Sequence, residues 1–230
     1  MKTAGFAIAA LGALLAVSAP AAAQEQNSRF VKNAGQEDAA AVFQSWARCT
    51  ADLDSKWAQR LLDTVPTSAL EEKVFDQRVS QSDRCLGEDR LIMDGKQLSF
   101  SRESGRGALA RALAVKALKA GQEPAPGAAT AWLTSKVAAD PAPAALNKGV
   151  LVGHDLAACL ADQHWPLARA TVTAANDKEE AQAWAALAPK LGGCMTAGAT
   201  MRLNRPLLRL LVSEAVYRAV TFKPDAAAVQ

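Results

Sequence analysis

Residues 95–113 read GKQLSFSRESGRGALARAL, and residues 198–216 read GATMRLNRPLLRLLVSEAV. Laid over one another without a gap, they match Gly95 with Gly198, Leu98 with Met201, Phe100 with Leu203, Ser101 with Asn204, Arg102 with Arg205 and Arg106 with Arg209. Leu109, Ala112 and Leu113 then fall on Val212, Ala215 and Val216. A single shared Gly or Arg would mean little, but this many matches in one register point to an internal duplication. In both stretches a favourable N-cap residue, Ser101 or Asn204, precedes apolar residues at helical spacing, and Pro206 suits a first helical turn. Ahead of each helix, Leu98-Ser99-Phe100 and Met201-Arg202-Leu203 alternate apolar and polar, the period of a strand. Copies related by a two-fold axis would lay these segments antiparallel as a short two-stranded ribbon.

The duplication extends towards the N-terminus. With Cys49 set on Cys159, Ala51-Asp52 matches Ala161-Asp162, Leu62 falls on Val172, and Phe75 meets Trp184. Ser68-x-x-Glu71 and Asn176-x-x-Glu179 are equivalent capping boxes, and the second cysteines, Cys85 and Cys194, coincide. The fold class that follows is mainly α: two tandem pseudo-repeats of about four short helices, packed together around Trp46, Phe75, Trp184 and the two fourth helices. Copy one spans 37–120 and copy two 146–222. Between them, 121–145 is a Pro- and Ala-rich linker or strap with a helical turn expected at Ala131–Val137. In the last helix Leu208, Val212, Ala215 and Ala219 form the apolar face, and Glu214 and Arg218 are expected as a solvent-side pair.

The N-terminus has the order of a cleavable secretory signal over residues 1–23: Lys2, an apolar run from Ala4 to Ala19, then Ala21-Ala22-Ala23. Cleavage after Ala23 sends the chain to the periplasm or the exterior. The run is too Ala-rich and too short for a membrane span, and no later segment approaches that length. Residues 24–36 and 223–230 read as disordered tails. The formal net charge is +3 with both signs interspersed, which argues against a nucleic-acid or anionic-lipid partner. Four cysteines in an exported chain imply two disulfides rather than a metal site, since there is no Cys-x-x-Cys and the only histidines are His154 and His164. Four cysteines permit three connectivities. A unit duplicated with both of its cysteines favours pairing within each copy, Cys49 with Cys85 and Cys159 with Cys194.

The Cys-x-Ala-Asp string, the second cysteine and the closing helix, Arg209-x-x-Val212-x-x-Ala215-Val216-x-Arg218 in copy two, resemble uncharacterised exported proteins of Gram-negative bacteria. The resemblance covers Cys159 to Arg218 and less of copy one, where Val115 stands at the place of Arg218. It implies an envelope or secreted location and no particular activity.

Motifs of zinc proteases, serine hydrolases, penicillin-recognising enzymes, phosphate-binding loops and haem attachment are all missing, so no catalytic, cofactor or metal residue is assigned. Glu71, Glu72, Glu88 and Asp89 read as solvated, and His154 and His164 as partly exposed residues on different helix faces. Gly105-Arg106-Gly107 reads as a bent helix start. Arg102/Arg106 and Arg205/Arg209 lie four apart near helix N-termini, where they would either hold an anion or pair with the repeated Asp52 and Asp162. The repetition favours the structural pairing. The expectation is a non-enzymatic envelope or secreted interaction module whose partner is a protein or polymer. The alternative is an envelope hydrolase using acidic residues or arginines gathered between the copies.

Overall fold

The structure is a computed structural model that describes residues 36–79, 85, 101–195 and 204–223. The signal segment, most of the two tails, Glu88, Asp89 and the alternating segments 98–100 and 201–203 lie outside the described residues. Among the described residues the chain is helical and contains no strand. The helices are α1 (Gln36–Leu53), α2 (Ser55–Leu62), α3 (Ala69–Val79), α4 (Arg102–Lys119), α5 (Ala128–Ala139), α6 (Lys148–Gln163), α7 (Trp165–Thr173), α8 (Asp177–Leu187), α9 (Leu191–Cys194) and α10 (Arg205–Thr221).

Short polar side chains set where these helices begin. Asp54 accepts from the Trp57 amide, Ser101 from Ser104, Asn147 from Gly149 and Val150, Asn176 from Glu179, and Asn204 from Leu207. Both capping boxes form. Ser68 Oγ accepts from the Glu71 amide at 3.1 Å, while Glu71 Oε2 accepts from the Thr67 amide at 2.7 Å. Glu179 Oε2 accepts in the same way from the Ala175 amide, so each box closes one residue ahead of its cap. Asp162, at the end of α6, accepts from the amides of Ala129 and Thr130 at 3.2 and 2.9 Å and so caps the N-terminus of α5. The strap between 121 and 145 thus holds a three-turn helix, longer than the single turn expected, with Ala128, Ala129, Trp132 and Leu133 buried.

Helix α10 is the axis of the fold. It packs most extensively on α4 and next on α6, and every residue from Leu211 to Val220 is buried. Helices α1 and α2 back α4, α7 packs on α10, and α5 lies across α6 and α10. Trp46, Phe75 and Trp184 all join one continuous core with Leu61, Leu109, Leu160 and Val212. Two disulfides fasten it: Cys49–Cys85 and Cys159–Cys194, spanning 36 and 35 residues, each with Cα atoms 5.6 Å apart.

Gly107 is placed where α4 crosses α10. A Cβ there would lie 2.4 Å from Leu210 Cβ and 2.9 Å from Leu210 Cα, so only glycine permits this approach. The glycine therefore serves a helix crossing rather than a bent helix start. Gly107→Ala should destabilise the chain by about 1–3 kcal/mol despite alanine's better helix propensity, because the obstructing atoms include backbone. Urea denaturation of G107A, L210G and G107A/L210G checks this: the double variant should recover part of the loss, and a neutral G107A would contradict the crossing.

Candidate functional site

Arg106 projects from α4 into the interior, 2% exposed. Its Nε and Nη2 donate to Glu214 Oε2 and Oε1 of α10 at 2.8 and 2.6 Å, a bidentate pair. Nη1 donates to Leu61 O, Thr64 Oγ1 and Glu71 Oε1, and Nη2 also donates to Leu62 O and Thr64 O. The guanidinium therefore closes the C-terminal end of α2, where carbonyls lack helical partners, and ties it to α3 and α10. All of its nitrogens are engaged within the protein.

The electrostatics follow from burial and pairing. Burial alone would lower the Arg106 pKa, but the Glu214 and Glu71 carboxylates raise it. Burial would raise Glu214, yet Arg106 holds that carboxyl down at about 2. Glu71 is raised above the ordinary carboxylate range because burial outweighs Arg106 and the Thr67 amide. Arg218, one turn beyond Glu214 and 3.7 Å from it, stacks its guanidinium 3.6 Å from the Trp132 ring centroid, and burial lowers it to about 10. Glu214 and Arg218 do pair, but both are buried, not solvent-side as expected. The reason is that α10 is enclosed by α4, α5, α6 and α7.

His154 of α6 completes the group. It too is buried rather than partly exposed, with Nδ1 3.9 Å from Glu214 Oε2. Burial pushes its pKa down to about 4, so near neutral pH the ring is uncharged. His154, Glu71, Arg106 and Glu214 line the polar side of a cavity of about 260 Å³ between α3, α4, α6 and α10. Val150, Leu207, Leu210 and Leu211 supply its apolar walls, and Thr67, Glu103 and Asn147 also line it. Thr67 holds a left-handed backbone, φ 68°, unusual for a β-branched residue. Its amide donates to Glu71, and its Oγ1 accepts from the Asn147 amide at 2.9 Å, which fixes it between α3 and α6.

The arginines singled out by repetition meet glutamates rather than the repeated aspartates. Arg102 lies 3.6 Å from Glu72, and Arg209 3.4 Å from Glu180, which Arg111 also approaches at 3.5 Å. Arg205 is exposed. Asp52 pairs with Lys116, and Asp162 caps α5. Only Arg106 of the four is buried and meets α10, whereas half-buried Arg102 and Arg209 pair with α3 and α8. Glu72 is exposed, but Glu71 is buried. His154 and His164 are not gathered together, and among the described residues no group of three or more His, Cys, Asp or Glu is placed to hold a metal ion. No described helix is long and apolar enough to cross a membrane. Glu214 carried a signal that periodicity alone underrates: with Ser213 and Arg218 it interrupts an otherwise apolar run from Leu210 to Val220.

Compared with protein families, curated proteins and solved structures, the chain matches none.

The buried cluster sets an acid sensitivity. His154 binds its proton near pH 4 when folded and near 6.5 when unfolded, so in that interval the unfolded chain holds more protons and stability falls as pH falls. The contribution of Glu214 has the same sign lower down, complete above about 4.5 and lost as pH drops towards 2. Glu71, raised, works in the opposite direction, its part of the stability declining as pH rises through its folded value. Arg106, Arg218 and Glu103 also act on His154 but do not change the sign. Thermal melts should therefore show Tm level above about pH 7 and falling from 6.5 to 4. His154→Phe should flatten that limb, and an unchanged slope in the variant would refute the assignment.

Proposed function

We propose that this chain is an exported, non-enzymatic helical binding module of the bacterial envelope, and that the cavity between α3, α4, α6 and α10 receives its partner. The observation that carries this reading is a preformed, largely apolar cavity whose buried charged residues, Glu71, Arg106 and Glu214, are already satisfied by one another. Arg106 has no donor left for a substrate, and each Glu71 oxygen already accepts a hydrogen bond. Such groups hold the cavity's shape; they are poorly placed to change partners during a reaction. The partner is an envelope protein or polymer that inserts a small group. The two disulfides fit an oxidising compartment.

Duplication is part of the reading. Under the alignment, Arg106 is equivalent to Arg209, Glu214 to Arg111, and Gly107 to Leu210. Gly107 and Leu210 touch each other, the Arg106–Glu214 pair has Arg209 and Arg111 as its counterpart, and carbonyls of the equivalent Leu62 and Val172 each accept from an α4 arginine. A pseudo-two-fold axis through the α4–α10 crossing accounts for the first two; the third departs from it, since Arg106 and Arg111 both belong to α4 and are not equivalent positions.

A second reading, an envelope hydrolase, draws support from one feature: two carboxyls in one cavity with pKa values driven apart, Glu71 up and Glu214 down to about 2. Assay of the purified mature protein against a panel of envelope substrates, with Glu71→Gln alongside, separates the two. The binding reading expects no turnover. Turnover abolished in folded E71Q would replace it with the hydrolase.

A further inference from the structure

Resting on the binding reading, we infer that the cavity selects a primary ammonium carried on a short aliphatic stem, whether a free amine or a lysine side chain. Three observations converge. First, the cavity-lining side chains include three carboxylates, Glu71, Glu103 and Glu214, and a single guanidinium, Arg106, whose nitrogens are all engaged internally. Glu103 is exposed, and among the described residues no cation pairs with it. Arg106 and Arg218 offset Glu71 and Glu214, which leaves Glu103 as the unpaired lining carboxylate among the described residues; an anion entering the cavity meets its negative charge, and a cation meets the opposite.

Second, His154 lines the cavity with its side chain only 10% exposed, and among the described residues it makes no hydrogen bond. With no hydrogen-bond partner among the described residues, the ring is free to bond an occupant of the cavity, and a ligand that supplies the complementary group gains affinity. Its neutral ring carries a single proton, and the Glu214 carboxylate 3.9 Å from Nδ1 favours that proton on Nδ1. Nε2 is then an acceptor, and its complement is a ligand N–H or O–H; a carboxylate, which only accepts, offers nothing. Third, Val150, Leu207, Leu210 and Leu211 give the walls an aliphatic character suited to a methylene stem, and about 260 Å³ limits the occupant to a small one.

Isothermal titration of the mature protein with hexylammonium, hexanol and hexanoate at pH 7 tests this. Hexylammonium should bind saturably at one site, hexanol at least tenfold more weakly, and hexanoate not at all. Glu103→Gln should weaken hexylammonium several-fold and leave hexanol unchanged, whereas His154→Phe should weaken both. Val150→Trp, which fills the cavity, should abolish binding while circular dichroism confirms the fold. An acetyl-lysine-amide peptide with a free ε-amine then distinguishes a side-chain source from a free amine by its affinity relative to hexylammonium. If hexanol or hexanoate equals the amine, the ammonium inference is overturned and the cavity remains a binding site. If no probe binds, or binding survives in V150W, the binding reading itself fails.

Discussion

Arg106→Met should cost the protein about 3–5 kcal/mol, enough to leave much of it unfolded at 37 °C. The loss does not measure the attraction between charges. Removing the guanidinium leaves Glu214 and Glu71 buried with an uncompensated charge, and the Leu61, Leu62 and Thr64 carbonyls at the end of α2 without their donor. Each stranded acceptor carries its own desolvation penalty. Arg106→Lys should also fail, because one ammonium cannot reproduce the forked contact with both Glu214 oxygens and the α2 carbonyls together. Arg106→Met combined with Glu71→Gln and Glu214→Met should regain part of the loss, since no charge is then stranded. By contrast, breaking the exposed pair Lys116–Asp52 should change stability by less than about 1 kcal/mol. Urea titrations followed by circular dichroism give all four values, and a near-neutral R106M would contradict the structural role of the cluster.

Loss of a disulfide is the second large effect. Cys159–Cys194 closes a 35-residue loop and pins the short α9 to α6; Cys49–Cys85 closes 36 residues from the end of α1. In the chain-entropy account, removing either by paired Cys→Ser substitution should destabilise the protein by about 4 kcal/mol. Removing both should leave it largely unfolded, because a chain of this size has a total stability of roughly 5–15 kcal/mol. Denaturation with and without reductant provides the measurement. Equal midpoints under the two conditions would show that the bridges do not hold the fold.

What could be read in the sequence and what could not divide along a physical line. Ser68–Glu71 and Asn176–Glu179 were legible as capping boxes because a cap acts over three residues and depends on nothing distant. The helix starts at Ser101 and Asn204 were legible for the same reason. The pairing of Cys49 with Cys85 and Cys159 with Cys194 followed from duplication, a relation between two segments that a sequence does display. The ion pairs behaved differently. Arg106 meets Glu214 across 108 residues, and although the apolar run around Glu214 hints at its burial, nothing local names its partner. Asp52 and Asp162 are matched in sequence yet do different work, one pairing with Lys116 and the other capping α5, because the strap helix packs on α6. The burial of His154 likewise required knowing that α10 would enclose it.

Methyl-resolved NMR during a hexylammonium titration shows whether the cavity between α3, α4, α6 and α10 is a binding site. Saturable shifts should be confined to the Val150, Leu207, Leu210 and Leu211 methyls, with the His154 ring nitrogens moving in step. Shifts that instead gather at the exposed Leu53, Leu70 and Met195, with the cavity methyls unmoved, would contradict it.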